Sequence, residues 1–181
     1  NGSLVSIGGS DLDSQILLND FLLTHKLTGY TDFKVITPVT SVMSFMSTPS
    51  NINPSLGIDD SIDVSSFDPV ANKGDGSIND YLYEKGNQLT ILAYALQNIS
   101  NDLKTSTDKT QDYFKAIAEE LEKEYAESSA KVDIEDESFI TNVLENLITA
   151  KTLTITDEAK ANTLNAMSGL LPIIQIKTED N

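Results

Sequence analysis

Apolar residues recur along this chain with two different periods, and the change falls at one junction. Phe33, Val35 and Ile36 have the aromatic and β-branched character of a short strand. Thr37 suits an N-cap, and Pro38 suits the first helical position, where a missing N–H costs nothing. Val39, Val42, Met43 and Met46 then fall at i, i+3, i+4 and i+7, which predicts a helix over Thr37–Met46 with one buried stripe.

Upstream of the junction the pattern is β. Leu4, Val5 and Ile7 form a short strand closed by Gly8-Gly9, a turn in which glycine tolerates positive φ. Ile16 to Leu27 fits a strand or a helical turn, because Leu17, Leu18, Phe21, Leu22 and Leu23 do not settle the period. Strands this short and few bury little by themselves, so they must lean on the helices or on a neighbouring domain.

Downstream the pattern is helical. Residues 47–79 form a loop region broken by prolines and glycines, in which Asn53-Pro54 and Asp68-Pro69 each read as a short helix start. Asn79 to Leu103 places Leu82, Leu89, Leu92, Leu96, Ile99 and Leu103 on one face. Thr107 or Asp108 caps a helix with Phe114, Ile117, Ala118, Leu121 and Tyr125 in register. Another begins at Asp133–Glu137, with Ile140, Val143, Leu144 and Leu147 inward. Thr156 caps the last, which buries Leu164, Met167, Leu171 and Ile174 and is kinked or ended by Pro172. The expected fold is mainly α, a bundle of about five helices over residues 37–178 with a small N-terminal β hairpin over residues 1–36. Both parts are expected to form one structural unit.

Charge changes the picture more than composition does. Aspartate and glutamate number 28 against 12 lysines, a formal charge of −16. Such a surface repels nucleic acid and anionic lipid and favours solubility, divalent cations or a salty medium. The absence of cysteine removes disulfides, thiolate metal sites and a cysteine nucleophile. The longest apolar run, Leu170 to Ile174 around Pro172, is far too short to span a bilayer, so no membrane insertion is expected. A first residue other than methionine suggests a piece of a longer polypeptide, with any export signal elsewhere in it.

Candidate chemistry is sparse. His25 stands alone among Leu22, Leu23 and Leu27, with no G-x-S-x-G and no second histidine, and reads as structural. The acid pairs Asp59/Asp60, Glu119/Glu120, Glu135/Asp136/Glu137 and Asp157/Glu158 fall on predicted solvent faces or helix first turns. General acid catalysis needs a carboxyl kept protonated by burial, and no acid interrupts an apolar stripe. Oxygen-rich side chains on a flexible loop are what calcium requires, and the stretch from Asp59 to Asp80 supplies them. Asp68, Asp75, Asn79 and Asp80 are the candidate ligands. The EF-hand register fails, since Ala71, Lys73 and Leu82 fall at its first, third and twelfth positions. The competing reading is a glycine-rich turn in which Asn79 or Asp80 caps the long helix.

The order of the short motifs carries a resemblance. Val5-Ser6-Ile7-Gly8-Gly9-Ser10-Asp11, then Val35-Ile36-Thr37-Pro38-Val39-Thr40-Ser41-Val42, follow a "GG-x-D" and "V-T-P-L-T-T-L" pattern. Leu56-Gly57, Phe67-Asp68-Pro69 and the helix from Tyr83 to Leu103 continue it. Over about the first 105 residues the chain resembles a helical module of large secreted or cell-surface adhesin-like proteins of Gram-negative bacteria, of the RTX- or cadherin-repeat type. Val39 and Ser41 depart from the pattern. The resemblance implies a non-catalytic structural or adhesive module of an extracellular multidomain protein, working with neighbouring domains and a protein or glycan ligand. Calcium dependence in such proteins usually belongs to neighbouring repeats. The alternative is a carbohydrate- or peptide-binding accessory domain of a secreted enzyme. A glycan platform would need exposed aromatic rings, and the chain has no tryptophan, with Tyr81, Tyr83 and Tyr94 grouped on one helix.

Overall fold

The computed structural model describes residues 2–7, 22–27, 34–69, 78–102, 110–151 and 155–170. Two strands, β1 (Gly2–Ile7) and β2 (Leu22–Leu27), precede six α-helices. These are α1 (Pro38–Met43), α2 (Ile52–Leu56), α3 (Ile78–Asp102), α4 (Thr110–Ser128), α5 (Glu137–Lys151) and α6 (Asp157–Leu170). A 3₁₀ turn, Pro49–Asn51, leads directly into α2. The protein is thus mainly helical with a two-stranded antiparallel N-terminal hairpin, as the periodicity indicates.

The hairpin is built differently from expectation. β1 pairs with β2 in the register Gly2↔Leu27 to Ile7↔Leu22, so the ambiguous stretch before Leu27 ends as a strand. Lys34–Ile36 is not a strand, and Phe33 lies outside the described residues. The backbone there is extended but spent elsewhere. The Val35 N–H donates to the Ser65 carbonyl at 3.0 Å, and the Val35 carbonyl accepts from His25 Nδ1 at 2.6 Å. A loop and an imidazole thus take the bonds that a ladder would have used.

α1 is the hub, touching β2, α2, α3 and α4. Thr37 and Thr40 form a reciprocal capping box, and Pro38 occupies the first turn. The helix stops at Met43, three residues short of the predicted end, and the chain tightens through i→i+3 bonds from Phe45 and Met46. α4 packs on α1, α3, α5, α2 and β2, and α6 lies on α5 and α3.

The predicted stripes form one continuous core. Leu89, Leu92, Leu96, Phe114, Ile117, Leu121, Ile140 and Val143 are fully buried. Tyr113 and Phe139 join them, though neither belongs to the predicted stripes. Ile99, Leu103, Leu171, Pro172, Ile174 and the proposed caps Thr107 and Asp108 lie outside the residues whose side chains are described. Thr156 caps α6 as expected, its hydroxyl accepting from the Ala159 N–H at 3.1 Å. Asp136 caps α5, accepting from the N–H and hydroxyl of Ser138.

Asn53 is not a helix cap, because the preceding 3₁₀ turn has already started the helix. Its buried amide instead donates to the carbonyls of Asp59 (3.0 Å) and Ile62 (2.7 Å), fixing the loop that follows α2. That loop begins at Gly57, which ends α2 in the left-handed region at φ +71.

Candidate functional site

Two surfaces stand out, and both are organised by the N-terminal half. The first is the hairpin. On one side β2 is sealed: the N–H groups of Thr24 and Lys26 donate to Ser41 Oγ (3.0 Å) of α1 and to Oγ of its C-cap Ser44 (2.8 Å). Because those two amides point away from β1, Val5↔Thr24 and Ser3↔Lys26 are non-hydrogen-bonded pairs. Ser3, Val5 and Ile7 therefore turn their backbone groups to the outer edge of β1. Every residue of β1 is exposed, including Leu4 at 37%, Val5 at 46% and Ile7 at 71%. No other strand is present among the described residues to cover that edge.

The second surface is a cleft of about 580 Å³ on the sealed side of β2. His25 and Lys26 of β2, Lys34, Met43 of α1 and its C-cap Ser44 line it. The 3₁₀ turn and α2 contribute Pro49, Ser50, Asn51, Ile52, Asn53 and Pro54, and the following loop adds Asp60, Ile62, Asp63, Val64 and Ser65. The wall is held from several directions. Glu122 of α4 accepts from the amides of Ser47 (2.8 Å) and Thr48 (2.6 Å), pinning the start of the 3₁₀ turn. In the loop, two Asp-x-Ser turns repeat: Asp59 accepts from the N–H and hydroxyl of Ser61, and Asp63 from those of Ser65. The Ser61 bonds hold the Asp59 carboxyl below the usual aspartate value. The Ser65 hydroxyl is the main cause of the same shift in Asp63, with Ser66, the Ser65 amide and Lys34 adding to it against desolvation.

His25 is 2% exposed and committed to the Val35 carbonyl through Nδ1, so it joins β2 to the Lys34–Thr37 segment. Lys34 donates to Ser65 Oγ and lies 3.9 Å from Asp63.

Elsewhere, Glu120 departs from the predicted solvent face. It is 0% exposed, accepting from Lys123 Nζ at 2.9 Å and from Asn146 Nδ2 at 2.7 Å. A glutamate inside the α4–α5 seam was hidden because its position adjoins both faces of α4. Asn146, directly before Leu147, supplies the amide, and no local pattern in the sequence pairs the two. Desolvation, then the Glu120 charge, lifts the neighbouring Glu124 carboxyl above the ordinary glutamate value. Lys85 is another buried ion, bonded to Gln88 Oε1 (2.7 Å) and Glu135 Oε1 (3.3 Å), with Gln88 also donating to Glu135 at 2.6 Å. The Glu120 cluster ties α4 to α5, and the Lys85 cluster ties α3 to the turn that precedes α5.

Of the calcium candidates, Asp75 lies outside the described residues. Asn79 and Asp80 sit in the first turn of α3, 7% and 6% exposed, and Asp68 lies near the end of the loop. Asp68, Asn79 and Asp80 each have interactions within the protein. Among the described residues no group of three or more acids or histidines is placed to hold a metal ion. No helix among them is long and apolar enough to cross a membrane.

Comparison with protein-family profiles, with characterised proteins and with solved structures finds no match to this chain.

Proposed function

We propose that this chain is a non-catalytic structural or adhesive module of a large extracellular surface protein of a Gram-negative bacterium, docked to its neighbouring domain through β1. The observation that carries this reading is the asymmetry of the hairpin. β2 is sealed by two serine hydroxyls and packed on the helical core, whereas β1 presents an uncharged edge with Leu4, Val5 and Ile7 exposed. An edge of unpaired backbone groups is completed by another strand. A second copy is opposed by the repulsion of two bodies of charge −16, so the occupant is a strand of the adjoining domain. The buried charged groups support the non-catalytic part, since His25, Glu120 and Lys85 are each spent in bonds that hold elements together.

Two measurements test it. Antibodies raised against the chain are expected to label intact cells of the producing bacterium, on a polypeptide much larger than 19.7 kDa. Labelling only after permeabilisation overturns the extracellular assignment. Amide exchange then tests the docking. Ser3, Val5 and Ile7 amides should exchange slowly in the full-length polypeptide and fast in the isolated chain, and equal rates in both would remove β1 as the contact.

A further inference from the structure

The cleft beside β2 goes beyond the reading above, because β1 contributes nothing to it. Its volume lies within the range of small-ligand sites, and its apolar lining includes Met43, Ile52 and Val64. Its charges are unusual for this protein. Lys26 and Lys34 are the only basic residues before Lys73 in a chain of charge −16, and both face this one cavity. Lys34 is mostly enclosed, with its side chain 16% exposed, and its carboxylate partner stands 3.9 Å away on a side chain that is 63% exposed. Lys34 also donates to Ser65 Oγ, so its ammonium is committed within the lining of the cleft. The Lys26 ammonium has no hydrogen-bond or ion-pair partner among the described residues, while its own main chain is fixed to Ser44.

We infer that this cleft is a binding site for a short peptide segment that presents a carboxylate to Lys26 and lays an aliphatic side chain on Met43, Ile52 and Val64. The charge balance selects the class of ligand. One available ammonium matches a monoanion, whereas a phosphate dianion would bring a second negative charge into a cleft that Asp60 and Asp63 also line. Asp63 is already engaged by Ser65 and Ser66, and the Asp60 carboxylate is the acceptor that a peptide N–H would meet. The apolar lining offers branched and thioether side chains, which suit an aliphatic residue better than the flat face of a sugar. The site is held open by bonds already described, those of Asn53 and Glu122, so binding requires no folding of the wall.

The test uses three acetylated dipeptides and one sugar acid, titrated against the isotope-labelled protein and followed by amide and methyl chemical shifts. Acetyl-Leu-Leu with a free carboxylate, its C-terminal amide, and acetyl-Asp-Leu amide separate a terminal from a side-chain carboxylate. Galacturonate represents the glycan alternative. One of the two carboxylate peptides is expected to shift Lys26, Ile52 and Val64, with the uncharged amide about tenfold weaker or more, a difference typical of one charge-assisted contact. The Lys26→Met variant, altered at an exposed position, should fold normally and lose the same factor. Equal binding of acid and amide, retention of affinity in Lys26→Met, tighter binding of galacturonate, or no shift at about 10 mM peptide would each overturn the assignment.

Discussion

Two glycines show how differently one residue type can be used. Gly57 has φ +71, and a Cβ there would stand 2.7 Å from Lys131 Cδ. Gly57→Ala therefore combines a left-handed backbone penalty with a forced shift of Lys131, and about 1–2 kcal/mol of destabilisation is expected in denaturant melts. Gly86 lies inside α3, where a Cβ would meet Pro38 at an ordinary 3.8 Å. Gly86→Ala should stabilise by about 0.5–1 kcal/mol, because a helix interior favours alanine. A loss of stability in that variant would mean that the α1–α3 contact cannot accept one methyl group. Glu124 supplies the residue-scale pH effect. Its folded value is raised above that of an ordinary glutamate by desolvation and then by the Glu120 charge. The native state then holds the proton more tightly than the unfolded chain, so stability is full below the unfolded value and is lost as pH rises through the folded one. Glu124→Gln should leave the melting temperature nearly unchanged at about pH 4 and raise it at pH 7. Asp63, shifted the other way, loses its contribution as pH falls through its folded value.

Among the elements, the least ordinary junction is the one between β2 and α1. A strand edge is closed here by two hydroxyls, of a short helix and its C-cap, instead of by a third strand. Ser41 is fully buried and both accepts from the Thr24 N–H and donates to the Thr37 carbonyl at 2.8 Å. Ser41→Ala strands a buried donor, and a cost of about 1–3 kcal/mol is expected, with faster exchange of the Thr24 amide. Ser44→Ala breaks an exposed bond that water can replace, so its cost should stay below about 1 kcal/mol. Similar costs for the two variants would show that burial does not decide the strength of this seal. The same junction marks the limit of what the sequence discloses. Thr37, Pro38 and the Val39/Val42 stripe locate α1 because caps and periodicity are local, and the stripes of α3, α4 and α5 are legible for the same reason. Val35 looks like a strand residue, and only the tertiary placement of Ser65 and His25 shows that its backbone bonds go elsewhere. The cleft was not legible at all, since its walls come from five separate segments. Even so, the repeated Asp-x-Ser at Asp59, Asp63 and Asp136 is a local turn signal that could have been read from the chain.

At the scale of the whole molecule, net charge and ion binding make separable contributions. A chain of charge −16 repels itself when compact, and added salt screens that repulsion over about 10 Å at 0.1 M. Sodium chloride should therefore raise the melting temperature, steeply at low concentration and less thereafter. Calcium at equal ionic strength screens in the same way, and any ion held specifically by the native state adds a further, saturable rise. Asn79 and Asp80 are already enclosed in the first turn of α3, with interactions inside the protein. Releasing them to an ion would cost those interactions and the burial. We therefore expect calcium chloride and sodium chloride to give coincident melting curves at matched ionic strength, with no separate effect of EDTA. A saturable excess with calcium, reversed by EDTA and lost in Asp75→Ala, would instead place the ion on the acidic stretch that includes Asp68, Asp75, Asn79 and Asp80. Asp75→Ala is the informative variant, because a substitution at the enclosed Asp80 would disturb the start of α3 whether or not calcium binds there.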